Sequence, residues 1–390
     1  MNYNFMTSAN REGLNTFKVS KEMVREMYDL PYYEDTISMW IADMDFECAP
    51  QIADAIATRA KTQVLAYSGA TPEYYQAIID WHQKRHHMNL KKEWLIHSHG
   101  TMAAIRNVVR ALTVEGDGII VQLPGYGPFE NITRSNRREF LANHLIKDAQ
   151  NTYSIDFENF EALCQKENAK MFILCNPYNP MGTVWSKEDV QRLMNITAKY
   201  NIIFVADEIH MDIVREDVRF TSAETVENNE LLVTFSSINK AFNVPALMST
   251  TIIIKNEALR NQFKSYVGFT PISPFTIVGE IAAYTECGDW LDELNNVINE
   301  NMRYMKSFID EKLPRVKYTI SKGTYFAWLD FSDYKLTDKE LLNKCATDAH
   351  LVLESGEMFS SSEAGFIRLN TAAPKSTIVE VMNRLERVFA

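Results

Sequence analysis

Short apolar runs, rich in β-branched residues, recur through the middle of the chain from about residue 95 to residue 255. The segments between them have the lengths and spacings of helices. This alternation is typical of the buried parallel strands of an α/β sheet. It predicts a doubly wound α/β domain with strands at Gly118–Val121, Met171–Leu174, Ile202–Val205, Leu231–Val233 and Thr251–Ile254.

The segments between the runs carry helix signals. Ser186 and Asp189 form a capping-box-like start before an apolar periodic stretch, which predicts that a helix begins there. A second helix is predicted where apolar residues recur on one face, at Met102, Ile105, Val109 and Leu112.

The pattern changes after Trp290. A long amphipathic helix begins near Leu291, a strand-like run follows at Tyr325–Leu329, and a final helix begins at about Ser376. This order predicts a smaller α+β domain beside the large sheet. We expect an amino-terminal segment at 1–45 that packs with the small domain, a large domain at 46–288 and the small domain at 289–390.

The charge balance excludes some classes of partner. The 40 Lys and Arg residues against 51 Asp and Glu residues give a net charge of −11, and the basic residues form no cluster. This argues against binding of nucleic acid or of an anionic membrane surface. No stretch approaches the roughly 20 apolar residues of a membrane helix.

The cysteines and histidines suggest neither a disulfide framework nor a metal centre. The five cysteines are odd in number and widely spaced, and none of them forms a CxxC pair. His82 and His86 have metal-ligand spacing, but no neighbouring carboxylate in the sequence completes a set. We therefore expect a cytoplasmic protein with no metal site.

Candidate chemistry follows the strands, where open α/β sheets bind their ligands. The glycine-rich dinucleotide fingerprint is absent, since Gly125–Glu130 continues with a proline after its second glycine. Three other motifs follow strands in order, at Asn176–Gly182, Asp207–His210 and Ser236–Asn243. Together they resemble the fold-type I pyridoxal-phosphate enzymes of the aspartate aminotransferase superfamily.

The resemblance implies pyridoxal 5'-phosphate as cofactor and assigns roles around its ring. Lys240 would bond covalently to the cofactor aldehyde and act as the base at the substrate Cα. Asp207 would keep the pyridine nitrogen protonated, and Tyr126 would stack on the ring, so these three residues form the predicted catalytic set. Asn179 would bind the phenolic oxygen, and His210 stands where aspartate aminotransferases carry a tyrosine.

The resemblance also implies a phosphate-binding site. Gly100, Thr101 and Met102 would open a helix whose backbone N–H groups bind the phosphate, and Ser237 would add a hydroxyl. Tyr67 would reach the phosphate of a neighbouring subunit. The resemblance therefore implies a homodimer with shared active sites.

A second resemblance narrows the reaction. The segment Met39–Phe46 is similar to the W-[VI]-A-D-M-D-F signature of the MalY/PatB-type cystathionine β-lyases, or C-S lyases, and Gly365–Asn370 agrees with the same family. The similarity implies that Arg368 binds the substrate α-carboxylate, in which a guanidinium fork is effective. Ala42, Asn179 and Tyr126 would complete the substrate site.

The implied reaction is cleavage of L-cystathionine or a related cysteine S-conjugate to a thiol, pyruvate and ammonia. The same cofactor chemistry serves other reactions, so an aminotransferase on the same scaffold remains an alternative. A second alternative is a cofactor-binding regulatory protein that contacts a transcription factor.

Overall fold

Alternating helices and strands make up most of the structure, a computed structural model that describes residues 3–390. The strands are β1 (Ile37–Ser38), β2 (Leu95–His99), β3 (Gly118–Leu123), β4 (Glu139–His144), β5 (Ile146–Lys147), β6 (Tyr153–Ser154), β7 (Ala169–Cys175), β8 (Ile203–Asp207), β9 (Leu232–Ser236), β10 (Ser249–Ile253), β11 (Lys317–Tyr318), β12 (Phe326–Asp330), β13 (Leu351–Val352), β14 (Glu354–Ser355) and β15 (Phe366–Asn370). The helices are α1 (Lys21–Tyr28), α2 (Pro50–Lys61), α3 (Pro72–His86), α4 (Thr101–Leu112), α5 (Pro128–Ser135), α6 (Phe157–Cys164), α7 (Lys187–Lys199), α8 (Ile238–Ala241), α9 (Glu257–Val267), α10 (Pro274–Glu286), α11 (Gly288–Lys312), α12 (Asp338–Asp348) and α13 (Lys375–Phe389).

A seven-stranded sheet in the order β2-β10-β9-β8-β7-β3-β4 carries the large hydrophobic core. Its strands from β9 to β4 are parallel to one another. Residues such as Ile119, Phe172 and Val205 are almost completely buried because helices cover both faces of the sheet. The predicted α/β class is confirmed.

One predicted strand direction is wrong. The run at Thr251–Ile254 is expected to be parallel, but β10 runs antiparallel to both of its neighbours, β2 and β9. Between β9 and β10 the chain forms only the four-residue helix α8 and one 3-10 turn, so it lacks the longer helix that usually carries the chain back for a parallel strand. The apolar run could not reveal this, because a strand buried on both faces has the same composition in either direction.

Several predicted local elements are confirmed. Ser186 accepts a hydrogen bond from the Asp189 backbone at 3.0 Å, and the Asp189 side chain accepts one from the Ser186 backbone, so α7 begins with a capping box. The long helix α11 has one buried face that includes Leu294 and Met302. Among the helices of residues 3–390, none combines the length and the apolar character that crossing a bilayer requires.

The carboxyl-terminal part forms a four-stranded sheet in the order β11-β12-β15-β14, covered by α11, α12 and α13. The amino-terminal segment reaches this part, since β1 pairs in parallel with β13 and Trp40 joins its core. Phe5 and Phe46 instead pack with Trp290 in a cluster beneath the large sheet. The amino-terminal segment thus spans both parts of the molecule, and the three domain boundaries stay a prediction.

Candidate active site

A cavity of about 170 Å³ lies at the carboxyl ends of β7 and β8. Cys175 and Asp207 end these two strands in matching register, and α8 closes the cavity from another side. Its lining comprises Ala42, Thr101, Met102, Tyr126, Cys175, Asn179, Asp207, Ile209, His210, Asn239, Lys240 and Pro245. Eight predicted site residues therefore meet at one place, from segments that are far apart in sequence.

Asp207 is buried at the end of a strand that is itself buried along its length. Burial raises the pKa of its carboxyl group from 3.8 to about 7, against the lowering effects of the Ile209 backbone N–H and of Lys240. Its Oδ1 atom has no hydrogen-bond partner. A buried, unpartnered carboxylate oxygen is costly unless a cation or a donor faces it.

Lys240 lies on α8 and presents its amine to the cavity. Its Nζ donates to the Ala42 carbonyl oxygen at 3.0 Å. Burial, with the positive charge of Arg368 next in size, lowers the pKa of Lys240 from 10.5 to about 8. More of this amine is therefore uncharged near neutral pH than of an ordinary lysine, and the uncharged form is the one that acts as a nucleophile or a proton acceptor.

Asn179 is held by a tight turn between β7 and α7. Tyr178 fixes the turn, since its hydroxyl donates to the Gln122 carbonyl at 2.8 Å and its own carbonyl accepts from the Gly182 backbone at 2.7 Å. Asn179 Oδ1 in turn accepts a hydrogen bond from Arg368 Nη1 at 2.9 Å. The turn therefore links the cavity to the four-stranded sheet.

Arg368 lies behind Asn179, outside the cavity lining, and is 4% exposed. Its guanidinium sits 4.0 Å from the ring centroid of Phe326, and its Nη2 donates to the Trp40 carbonyl at 2.8 Å. The same Nη2 forms an ion pair with Glu354, whereas Nε is buried without a partner.

His210 and Tyr126 border the cavity as neutral groups. His210 packs edge-on against the rings of Tyr325 and Phe326, and burial lowers its pKa well below the ordinary value of 6.5. Its Nδ1 atom has no partner. Burial also raises the pKa of the Tyr126 hydroxyl.

The predicted phosphate-binding residues lie at the start of α4. Gly100 precedes this helix with φ of +85°, a conformation that favours glycine, and Thr101 and Met102 face the cavity. Ser237 lies just behind, where its hydroxyl donates to the Ser249 carbonyl at 2.6 Å. The first backbone N–H groups of a helix are unpaired within it, so this corner can bind an anion.

Four predicted site residues do not line the cavity. Gly100, Ser237 and Arg368 lie behind residues that do, whereas Tyr67 lies apart from it. The Tyr67 side chain is 91% exposed, and it lies in a loop beyond α2.

Two residues at the site were not singled out from the sequence. Cys175 could have been found, since it lies between the predicted strand Met171–Leu174 and the Asn176–Gly182 motif. Glu354 is a lone charge after the apolar run Leu351–Leu353, and only strand pairing places it opposite Arg368.

The chain that forms this cavity is similar to known proteins over nearly its whole length. The family model for aminotransferase class I and II matches residues 34–385. Cystathionine β-lyase PatB of Bacillus subtilis is 32% identical over 384 residues, which cover 97% of this chain and 98% of that protein. The structure of cystalysin from Treponema denticola, which contains a pyridoxal 5'-phosphate cofactor, aligns with a TM-score of 0.94 at 31% identity over 100% of this chain and 99% of that one. The pyridoxal-phosphate-bound C-S lyase from Staphylococcus hominis aligns with a TM-score of 0.93 at 30% identity, with the same coverage.

Proposed function

Since this chain belongs to the aminotransferase class I and II family, we propose that it is a pyridoxal-phosphate-dependent carbon–sulfur β-lyase. It cleaves L-cystathionine or a related cysteine S-conjugate to a thiol, pyruvate and ammonia. The observation that carries this proposal is the arrangement of Lys240, Asp207 and Asn179 around one cavity, in a chain that aligns end to end with C-S lyases.

The residues around the cavity fit the cofactor. Asp207 Oδ1 lacks a partner and suits a protonated pyridine nitrogen, which would offset the cost of burying its charge. Asn179 would bind the phenolic oxygen, Tyr126 would stack on the ring, and Lys240 would hold the aldehyde carbon. The corner formed by Thr101 and its helix start would bind the phosphate.

When bound, the cofactor supplies an electron sink for the pair released at the substrate Cα. In this proposal the substrate amino group would take the place of Lys240 at the cofactor aldehyde, and the freed Lys240 accepts the Cα proton on Nζ. Its lowered pKa favours the uncharged amine that this step needs. Arg368 binds the α-carboxylate and orients the Cα–H bond toward Lys240. The Cα electron pair then forms a Cα=Cβ double bond while the Cβ–S bond breaks and its electron pair leaves with the thiolate. Water hydrolyses the released aminoacrylate to pyruvate and ammonia.

We also propose a homodimer with shared active sites. The most exposed aromatic side chains, Tyr67 and Phe269, lie in two loops that a bridge between Ser68 and Ile272 joins. Leu65, 66% exposed, extends the same surface. An apolar patch of this kind is typical of a subunit interface, and Tyr67 could there reach the partner's phosphate. A cytoplasmic location is consistent with five free cysteines.

The test is the visible spectrum of the purified protein, followed by addition of L-cystathionine with assays for pyruvate and free thiol. We expect a yellow band that borohydride removes, and pyruvate and thiol in equal amounts. Lys240→Ala should abolish turnover and the covalent attachment of the cofactor to the protein that borohydride reduction produces in the wild type. The exposed Lys339→Ala is the matched control and should behave as the wild type.

Other outcomes would contradict the proposal. Turnover at the wild-type rate in Lys240→Ala would remove the assigned base. A yellow protein that consumes keto acid but releases neither pyruvate nor thiol from cystathionine would be an aminotransferase. A protein that cannot be loaded with the cofactor would contradict the assignment of the whole site.

A further inference from the structure

Arg368 and Glu354 lie directly opposite each other on the neighbouring antiparallel strands β15 and β14. Side chains at directly opposed positions point to the same face of a sheet, so these two meet. The Glu354 side chain is only 14% exposed and forms an ion pair with Nη2 of Arg368. The arginine that is expected to bind the substrate therefore already forms an ion pair with a largely buried carboxylate.

The hydrogen bonds of the Arg368 guanidinium determine which of its N–H donors a substrate carboxylate can reach. Of its five N–H donors, one Nη1 donor goes to Asn179, and the two on Nη2 go to Trp40 and Glu354. Nε is unpartnered, and a second Nη1 donor remains. A carboxylate binds in the two-pronged manner along the Nε/Nη2 edge or the Nη1/Nη2 edge, and both edges include Nη2.

Arg368 cannot easily turn away to offer another edge. Its guanidinium lies 4.0 Å from the ring centroid of Phe326 and 5.1 Å from that of Phe359. The Trp40 carbonyl and Asn179 hold it at two further points. A carboxylate that binds in the two-pronged manner must therefore displace one of the two acceptors on Nη2. Glu354 is the one that gives way, because it is a side chain of the same charge as the ligand, whereas the Trp40 carbonyl belongs to the backbone.

We propose that Glu354 competes with the substrate α-carboxylate for Arg368 and thereby raises the Kd of every carboxylate that binds there. This inference rests on the proposed function, because it takes Arg368 as the α-carboxylate-binding residue. Every carboxylate pays the cost of displacing Glu354, but an amino acid offsets it through the bond that its amino group makes with the cofactor. Because the cost is the same for every carboxylate, Glu354 prevents simple carboxylates and the keto-acid product, which lack that bond, from occupying the site, and it also raises the KM for the substrate.

The test measures binding of propionate, a carboxylate without an amino group, to the cofactor-loaded protein by calorimetry at constant ionic strength. In Glu354→Gln the competing charge is gone while the shape is kept, so we expect the Kd to fall about tenfold. Glu357→Gln removes the same charge from an exposed residue on the same segment and should leave the Kd unchanged. Arg368→Ala should abolish the binding, which assigns it to this arginine.

A purely structural role for Glu354 predicts other results. If Glu354 only positions Arg368, Glu354→Gln will weaken propionate binding, and this result would contradict the proposal. An unchanged Kd for propionate would contradict it as well. The KM for L-cystathionine should fall with little change in kcat, while binding of an S-alkylcysteamine, which lacks the carboxylate, should not tighten. If Glu354→Gln folds poorly, Glu354→Ala must show the same tightening for the proposal to stand.

Failure of this inference is distinguishable from failure of the proposed function. Propionate binding needs no C–S cleavage, so a wild-type protein that releases no thiol contradicts the lyase assignment alone. A lyase whose Glu354→Gln variant binds propionate no more tightly contradicts the competition alone.

Discussion

The carboxyl group of Asp207 lies in a cavity where its Oδ1 atom has no hydrogen-bond partner, and burial raises its pKa from 3.8 to about 7. When the pKa of a carboxyl is higher in the folded state than in the unfolded state, its contribution to stability is fully present only below the pKa of the unfolded state. That contribution is lost as the pH rises through about 7. A protonated pyridine nitrogen facing Asp207 would reverse the preference, because it stabilises the charged form.

The stability of the cofactor-free protein should therefore depend on pH. Between pH 5.5 and 8.5, the melting temperature of the wild-type apoprotein should fall relative to that of Asp207→Asn, because only the wild type must bury a new charge. Thermal unfolding of both proteins across this range measures the difference. The exposed Asp54→Asn serves as the control and should follow the wild type. Parallel pH profiles for Asp207→Asn and wild type would contradict the burial argument.

At the scale of one element, the turn between β7 and α7 positions Asn179 by close backbone packing. Gly182 has φ of +67°, and a Cβ atom there would lie 2.4 Å from the Gly323 carbonyl oxygen and 2.6 Å from Ser321 Cβ. The Gly323 backbone also donates to the Gly182 carbonyl at 2.8 Å. The turn thus fits the four-stranded part of the molecule only without a side chain at position 182.

We predict that Gly182→Ala lowers the free energy of unfolding by about 2–4 kcal/mol, since it combines a strained φ with overpacking. Gly116→Ala is the matched control, because Gly116 also has a positive φ but no atom within 4 Å of an added Cβ. Its loss should be about 1 kcal/mol. Urea unfolding of the three proteins measures both values, and equal losses would show that the close packing at Gly182 contributes nothing.

At the scale of the whole molecule, the exposed patch around Tyr67 and Phe269 predicts the assembly state. Light scattering should give a mass of about 90 kDa, twice the chain mass of 44.9 kDa. Leu65→Asp together with Phe269→Asp should produce monomers that lose the cofactor more readily, because the proposed contact of Tyr67 with the partner's phosphate is gone. Val114→Asp is the control, since Val114 is 67% exposed but lies in another loop, between α4 and β3. A wild-type monomer would contradict the proposed dimer.

The local pattern of the chain determined much of this protein. The α/β class, the capping box at Ser186, the long helix after Trp290 and the family all agree with the structure and the comparisons. These features depend on hydrophobic periodicity, turn residues and motif spacing, which are local properties of the sequence. The roles assigned to residues such as Lys240 and Asp207 stay predictions, although both residues line the same cavity.

The tertiary structure alone decided three features: the antiparallel direction of β10, the pairing of Glu354 with Arg368, and the exposure of Tyr67. The first depends on how the short connection after β9 folds back, which composition does not encode. The second depends on the register between two strands, and a shift of one residue would turn Glu354 to the other face of the sheet. The third depends on which surfaces the rest of the chain leaves uncovered. Each is a relation between distant segments, and the sequence pattern specifies segments one at a time.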